Sequence, residues 1–334
     1  MNKLFYLFLF SLIGGNLYAQ GTSEPKHVRE ANTAFESGKY FEAIDKLQLA
    51  YDKIGTKGSL KEKGSVRFKL AESYRHISRY EEANENYDVC IELKYFDINA
   101  DVYFFKGEML RMMGDYAKAQ KSYSEFKKIA GESRADEVET ALKACEDYKF
   151  YDMLEPEVNY QVKCETKINR KEYDMSPSYA DKKGYKVYFS SSREESFGSG
   201  RDPITGEKYM DIFVAEFDKN GDPTGVTSID GDGIINTSEN EGTVCFDKKF
   251  KTMYFTRCPN KERMKLGCDI WIVDIVEGEF TNVRKMKLKT DETVSVGHPC
   301  LTQDGKMLIF ASDMKSSGGD KSFGGRDLWY VTYD

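Results

Sequence analysis

The sequence predicts a multidomain protein, α first and β second. Three observations carry that expectation. Residues 24 to about 152 hold almost no proline and space their apolar side chains with a helical period. After Pro156 that period stops, and glycine-bearing turns between β-branched or aromatic runs replace it. Each half also contains an internal repeat of its own, and a length of 334 residues suits two domains at roughly 100–200 residues each.

A short apolar segment precedes the helical half. Lys3 supplies a positive charge, Leu4 to Ile13 is almost wholly apolar, Gly14-Gly15-Asn16 breaks the run, and Leu17-Tyr18-Ala19 precedes Gln20. Positive, apolar, then small is the layout of a secretory signal, so residues 1–19 are expected to be removed after Ala19. A run of about 10 apolar residues is too short to span a bilayer. No cysteine follows the run to take a lipid, and no later stretch reads as a transmembrane span.

The helical repeat appears when Gly38-Lys39-Tyr40-Phe41-Glu42-Ala43, Ser78-Arg79-Tyr80-Glu81-Glu82-Ala83 and Gly114-Asp115-Tyr116-Ala117-Lys118-Ala119 are aligned. Four residues after each alanine stands Leu47, Tyr87 or Tyr123; three further on stands Ala50, Cys90 or Phe126. Upstream, Ala31, Ala71 and Gly107 are the small residues. Small residues at matched positions let two antiparallel helices approach closely, and an aromatic after the turn fills the wedge between units. The repeats resemble the TPR family at these positions. Their tyrosine spacings of 40 and 36 exceed the consensus of about 34, the first through a turn at Gly55-Thr56-Lys57-Gly58-Ser59. Residues 135 to 152 read as a closing helix.

TPR solenoids bind peptides or partner helices along the first helix of each unit. The resemblance places that face on Asn32, Phe35 and Glu36, then Glu72, Arg75 and His76, then Glu108, Arg111 and Met112. The Glu-x-x-Arg pair recurs in the second and third units. A solvated helix face carrying ion pairs of a few tenths of a kcal/mol is the plainer reading, and it weighs more than a binding face.

The β half, 156–334, repeats as well. Tyr188-Phe189-Ser190-Ser191, Tyr254-Phe255-Thr256-Arg257 and Ile309-Phe310-Ala311-Ser312 correspond. So do Asp211-Ile212-Phe213, Asp269-Ile270-Trp271 and Asp327-Leu328-Trp329, whose aspartates stand 58 residues apart in both intervals. Turns at Asp181-Lys182-Lys183-Gly184, Asp247-Lys248-Lys249 and Asp304-Gly305-Lys306 recur in register. This order resembles the PD40 (WD40-like) β-propeller blade over residues 172 to 334. Three blades are visible where propellers use about four to eight, so the set is expected to be incomplete, its missing blades lying in a longer polypeptide or elsewhere.

Seven cysteines all lie beyond residue 89. Export permits disulfides, and an odd count leaves at least one outside an internal pair. Cys258 and Cys268 bracket one loop and would meet at a hairpin mouth; a disulfide there and two unpaired thiols weigh equally on the sequence.

Chemistry is sparse. Ser228 to Glu239 approaches the twelve-residue calcium loop through Asp230, Asp232, Gly233, Asn236 and Glu239. It has Ser228 where aspartate belongs and β context where helices belong, so coincidence is the better reading. Gly318-Gly319-Asp320 and Gly324-Gly325-Arg326 lack the ending and context of phosphate loops. His27, His76 and His298 are scattered, and no catalytic set emerges from spacing. No cofactor is expected. A net charge of -7 argues against nucleic acid.

A signal, TPR repeats and PD40 blades in that order resemble a family of Bacteroidetes envelope proteins that continue into an OmpA-like, peptidoglycan-binding domain. The resemblance implies a periplasmic, outer-membrane-associated, non-enzymatic scaffold. It would hold protein partners of a type IX secretion or gliding-motility complex, and peptidoglycan through that C-terminal domain. The alternatives are a ligand- or glycan-binding module and an accessory part of a longer hydrolase.

Overall fold

The computed structural model describes residues 24–153, 162–260, 266–315 and 322–333. The signal segment 1–19 and Gly318-Gly319-Asp320 lie outside them. The protein divides at Cys145 and Glu146 into two compact units, with Lys39–Phe41 grouped with the second.

Among the described residues seven α-helices come first: α1 (Lys26–Glu36), α2 (Tyr40–Ile54), α3 (Leu60–His76), α4 (Tyr80–Glu92), α5 (Asp101–Met112), α6 (Tyr116–Ala130) and α7 (Ala135–Met153). The three repeated tyrosines open α2, α4 and α6. The small residue two positions earlier takes a left-handed turn each time, with φ of 70° at Gly38, 61° at Ser78 and 80° at Gly114. That conformation disfavours bulky side chains. Ala43, Ala83 and Ala119 are fully buried, as are Leu47, Tyr87 and Tyr123 four residues on. Gly107 of α5 shows why its position stays small: a Cβ there would lie 2.7 Å from the Tyr123 ring. Ser59 caps α3 reciprocally with Glu62, its hydroxyl accepting the Glu62 N–H at 3.2 Å while its own N–H donates to the Glu62 carboxylate at 2.9 Å.

Three antiparallel sheets follow. The first is β1 (Asp174–Tyr179), β2 (Lys186–Ser191), β3 (Asp211–Phe217) and β4 (Pro223–Ser228), paired in sequence order. The second is β5 (Asn240–Phe246), β6 (Thr252–Cys258), β7 (Asp269–Val276) and β8 (Glu279–Lys285), again in order. The third is β9 (Val296–Leu301), β10 (Met307–Ser312) and β11 (Asp327–Thr332). The sheets are not closed into a ring.

The repeated aspartates before each second strand build the turns. Asp181 accepts the N–H of Lys183 at 2.7 Å, Asp247 that of Lys251 at 2.6 Å, and Asp304 that of Lys306 at 3.1 Å. Adjacent sheets share cores. Tyr188 and Ile212 of the first pack with Val244, Met253 and Phe255 of the second. Tyr254 and Ile270 of the second pack with Val296, Leu308, Phe310 and Trp329 of the third.

The first strands β1, β5 and β9 are neighbours across the stack, and each is bulged. Ser176, Thr243 and His298 sit at these bulges with φ of 56°, 50° and 56°. A hydroxyl of the preceding sheet meets each bulge it faces. Ser190 Oγ accepts the Thr243 N–H at 3.0 Å, and Thr256 Oγ1 accepts the His298 N–H at 2.9 Å.

Candidate functional site

The helical residues singled out by sequence separate into two groups. Asn32, Phe35 and Glu36 of α1 gather around Lys69 of α3. Lys69 donates to Asn32 Oδ1 at 2.7 Å, lies 3.8 Å from Glu36, and stands 5.8 Å from the Phe35 ring centre. Arg75, Glu108, Arg111 and Met112 instead line one cavity of about 760 Å³ with Phe104, Phe105 and Arg134. His76 lies beside it at 3.2 Å from the Arg75 guanidinium; burial first, and that guanidinium second, hold its imidazole below the usual range.

The recurring Glu-x-x-Arg pair is more than a solvated face. Tyr87 donates its hydroxyl to Glu72, which is buried and also accepts from Arg75. Tyr123 donates to Glu108 at 2.5 Å, and Arg111 binds the same carboxylate at 2.8 Å. Burial drives both phenols above their ordinary pKa. Each α3 or α5 carboxylate is therefore held between a tyrosine of the next helix and a partly buried arginine of its own helix. Arg75 lies 4.5 Å and Arg134 5.4 Å from the centre of the Phe105 ring, giving an aromatic surface flanked by cations. Such a surface can hold an extended peptide or a helix face.

The sheet unit has a second cavity, of about 390 Å³, where the three bulged strands converge. Met175, Gly242, Thr243, Gly297 and His298 come from those strands; Asn240, Glu241, the Cys258–Cys268 disulfide and Arg326 complete its polar and sulfur-bearing wall. Gly297 is required by close approach, since a Cβ there would lie 2.9 Å from Thr256 Cγ2. The disulfide ties the ends of β6 and β7, whose last antiparallel pair is Arg257 with Asp269. Among the described residues Cys90, Cys145, Cys164, Cys245 and Cys300 form no disulfide.

Behind that wall lies a run of buried charge. Glu241 is buried and accepts from Arg257 Nε at 2.8 Å and from Thr237 Oγ1 at 2.6 Å. Burial pushes its carboxyl above the usual range, against the pull of these partners. Asp211 Oδ2 accepts the Phe197 N–H at 2.5 Å, while Oδ1 is buried without a partner among the described residues. Burial raises the Asp211 carboxyl to about 7, and the nearby Glu241 and Asp230 add to the shift. The first sheet holds an equivalent ion pair, Asp174 with Arg193 at 2.7 Å.

The stretch from Ser228 to Glu239 begins at the end of β4 and builds structure with its polar groups. Asp230 accepts the N–H groups of Ile235 and Asn236 at 2.5 and 3.3 Å, and Asn236 brackets the Ile212 backbone through both side-chain atoms. Among the described residues no group of three or more His, Cys, Asp or Glu is placed to hold a metal ion.

Sequence reasoning missed Tyr87 and Tyr123 as carboxylate partners, and it missed Arg134, Asn240 and Arg326. One signal was readable: Ser196-Phe197-Gly198 and Ser322-Phe323-Gly324 repeat. Phe323 donates its N–H to Asp327 at 2.9 Å as Phe197 does to Asp211. Among the described residues no helix is long and apolar enough to cross a membrane. In comparisons with known proteins, no family model and no curated protein matches this sequence.

Proposed function

We propose that the protein is an exported, non-enzymatic scaffold, its helices stacked as TPR-type repeats and its sheets as PD40-type propeller blades. It would work in the periplasm at the outer membrane, holding protein subunits of a type IX secretion or gliding-motility complex. The proposed domain order resembles that of the type IX secretion accessory protein PorE. In that family peptidoglycan is held by an OmpA-like domain following the blades.

One observation carries the reading. Two independent sequence repeats fall on matched structural positions, the buried alanines at 43, 83 and 119 and the strand-opening aspartates at 211, 269 and 327. Repeats that each bury a face against the next build extended surfaces, the architecture of proteins that hold other proteins. The cation-flanked Phe105 surface supplies the docking chemistry on the helical side. The test is affinity capture from envelope fractions of a type IX-secreting bacterium, using the intact protein and an Arg75→Ala, Arg134→Ala variant. Recovery of translocon or adhesin-associated subunits by the intact protein, reduced in the variant, supports the scaffold. Retention of a sugar or peptide with no protein partner overturns it.

A further inference from the structure

We infer that the cavity between β1, β5 and β9 is a binding site for a carboxylate-bearing ligand, gripped by Arg326 and His298. The site stands whether or not the scaffold reading holds.

The cavity, about 390 Å³, is of a size that takes a small ligand or the end of a peptide. Its polar groups divide by what they already do. Glu241, the one carboxylate on the wall, is occupied by Arg257 and Thr237. The hydroxyls of Ser190 and Thr256 accept bulge N–H groups. What remains is donors. Arg326 is exposed and has no hydrogen-bond or ion-pair partner among the described residues. His298 lies on the same wall, close enough to feel the Arg326 charge. Asn240 has its Oδ1 fixed by the Met210 N–H at 3.0 Å, which settles which side-chain atom is the amide nitrogen; that Nδ2 is a buried donor with no partner among the described residues. A buried donor left unmet is costly.

An unspent guanidinium beside an imidazole is a carboxylate receptor, because charge-assisted donors match the two oxygens of one carboxylate. Met175, Met210, Leu266 and Ala311 supply an apolar wall for the group attached to it. The backbone supports a built site. His298 and Thr243 are held at bulges with positive φ, a conformation that costs energy for side chains of their kind and that clusters at ligand sites.

Burial, then the Arg326 charge, hold His298 below the usual imidazole range. A bound anion opposes both effects and raises the His298 titration. With three histidines in the protein, that resonance can be assigned by substitution.

The experiment titrates the full-length mature protein with acetyl-Ala-Ala-Ala, with the amide of that peptide, and with glucuronate. Proton NMR of His298 and calorimetry are the readouts. The expected result is a His298 shift and a raised titration midpoint with at least one of the acids, none with the amide, and affinity weakened about tenfold or more in Arg326→Gln. Arg326 is exposed, so that variant keeps its fold, and Arg284→Gln, which lies outside the cavity, serves as the control. Response to the peptide acid alone identifies the carboxyl end of a polypeptide; response to glucuronate alone identifies a sugar acid; response to both assigns recognition to the carboxylate itself. Silence from both acids up to about 10 mM, equal binding of acid and amide, or an unchanged Arg326→Gln overturns the inference.

Discussion

Asp211→Asn should flatten the pH dependence of stability in the sheet unit. Asp211 is 1% exposed, one carboxylate oxygen takes the Phe197 N–H, and the other has no partner among the described residues. Its carboxyl holds a proton to about pH 7 in the fold, against an ordinary value of 3.8. Between those values the folded state binds one proton more than the unfolded state, so stability falls as pH rises. The contribution is fully present below about pH 4 and gone above about pH 7. At about 1.4 kcal/mol per pH unit it totals about 4 kcal/mol, of which about 2 kcal/mol is lost between pH 5 and 7. Asparagine keeps an acceptor for Phe197 and does not titrate. Glu241, also raised, contributes the same sign in both proteins, so the difference between wild type and variant reports Asp211 together with its coupling to Glu241. The assay is urea unfolding followed by tryptophan emission. The protein has two tryptophans, Trp271 and Trp329, on β7 and β11, so the signal reports the sheets alone. Parallel stability profiles for the two proteins from pH 5 to 7 would refute the reasoning.

Three further variants test the packing around both cavities. Tyr123→Phe removes the hydroxyl that holds Glu108 and should cost the helical unit about 1.5–3 kcal/mol, measured as a lower urea midpoint by far-ultraviolet circular dichroism. Replacing Cys258 and Cys268 together by serine opens a loop with a sequence separation of 10, which should cost about 2.5–3 kcal/mol in the tryptophan-detected transition. Arg257→Met leaves the Glu241 carboxylate buried without its cation and should cost about 3–5 kcal/mol near neutral pH. That loss should shrink as acid protonates Glu241, and a pH-independent loss would assign it to packing instead.

The legible parts of this fold are those where geometry repeats. Ala43, Ala83 and Ala119 are readable because a close helix approach recurs three times and only small side chains fit it. The aspartates at 211, 269 and 327 are readable because each opens a strand in the same register. What was hidden arises where the repeat breaks. Asp174 and Glu241 hold matched places on the first strands of their sheets, but their arginines come from different places, Arg193 after β2 and Arg257 on β6, and Val296 and Ser312 stand opposite each other at that place in the third sheet, so no pattern advertises the pairs. The helical carboxylates were visible as Glu-x-x-Arg, yet their tyrosine partners lie 15 residues away on the next helix, a distance that only the packed pair of helices spans. The cavity donors come from β5, β9 and the approach to β11, which no local window joins.

The hydroxyl clasps between sheets give the stack a direction. Ser190 fastens the second sheet to the first and Thr256 fastens the third to the second, each through a backbone N–H that its own strand, bulged at that point, leaves unspent. Ala311 stands at the matching place in the third sheet and offers nothing to fasten to, while Leu328 and Tyr330 of β11 remain 81% and 65% exposed. The stack therefore behaves like a row of buttons fastened from one side. With those side chains exposed, amides of β11 should exchange before those of the buried strand β6. Within the three described sheets the clasping hydroxyl is thus lost at the third, where Ala311 carries a methyl group alone.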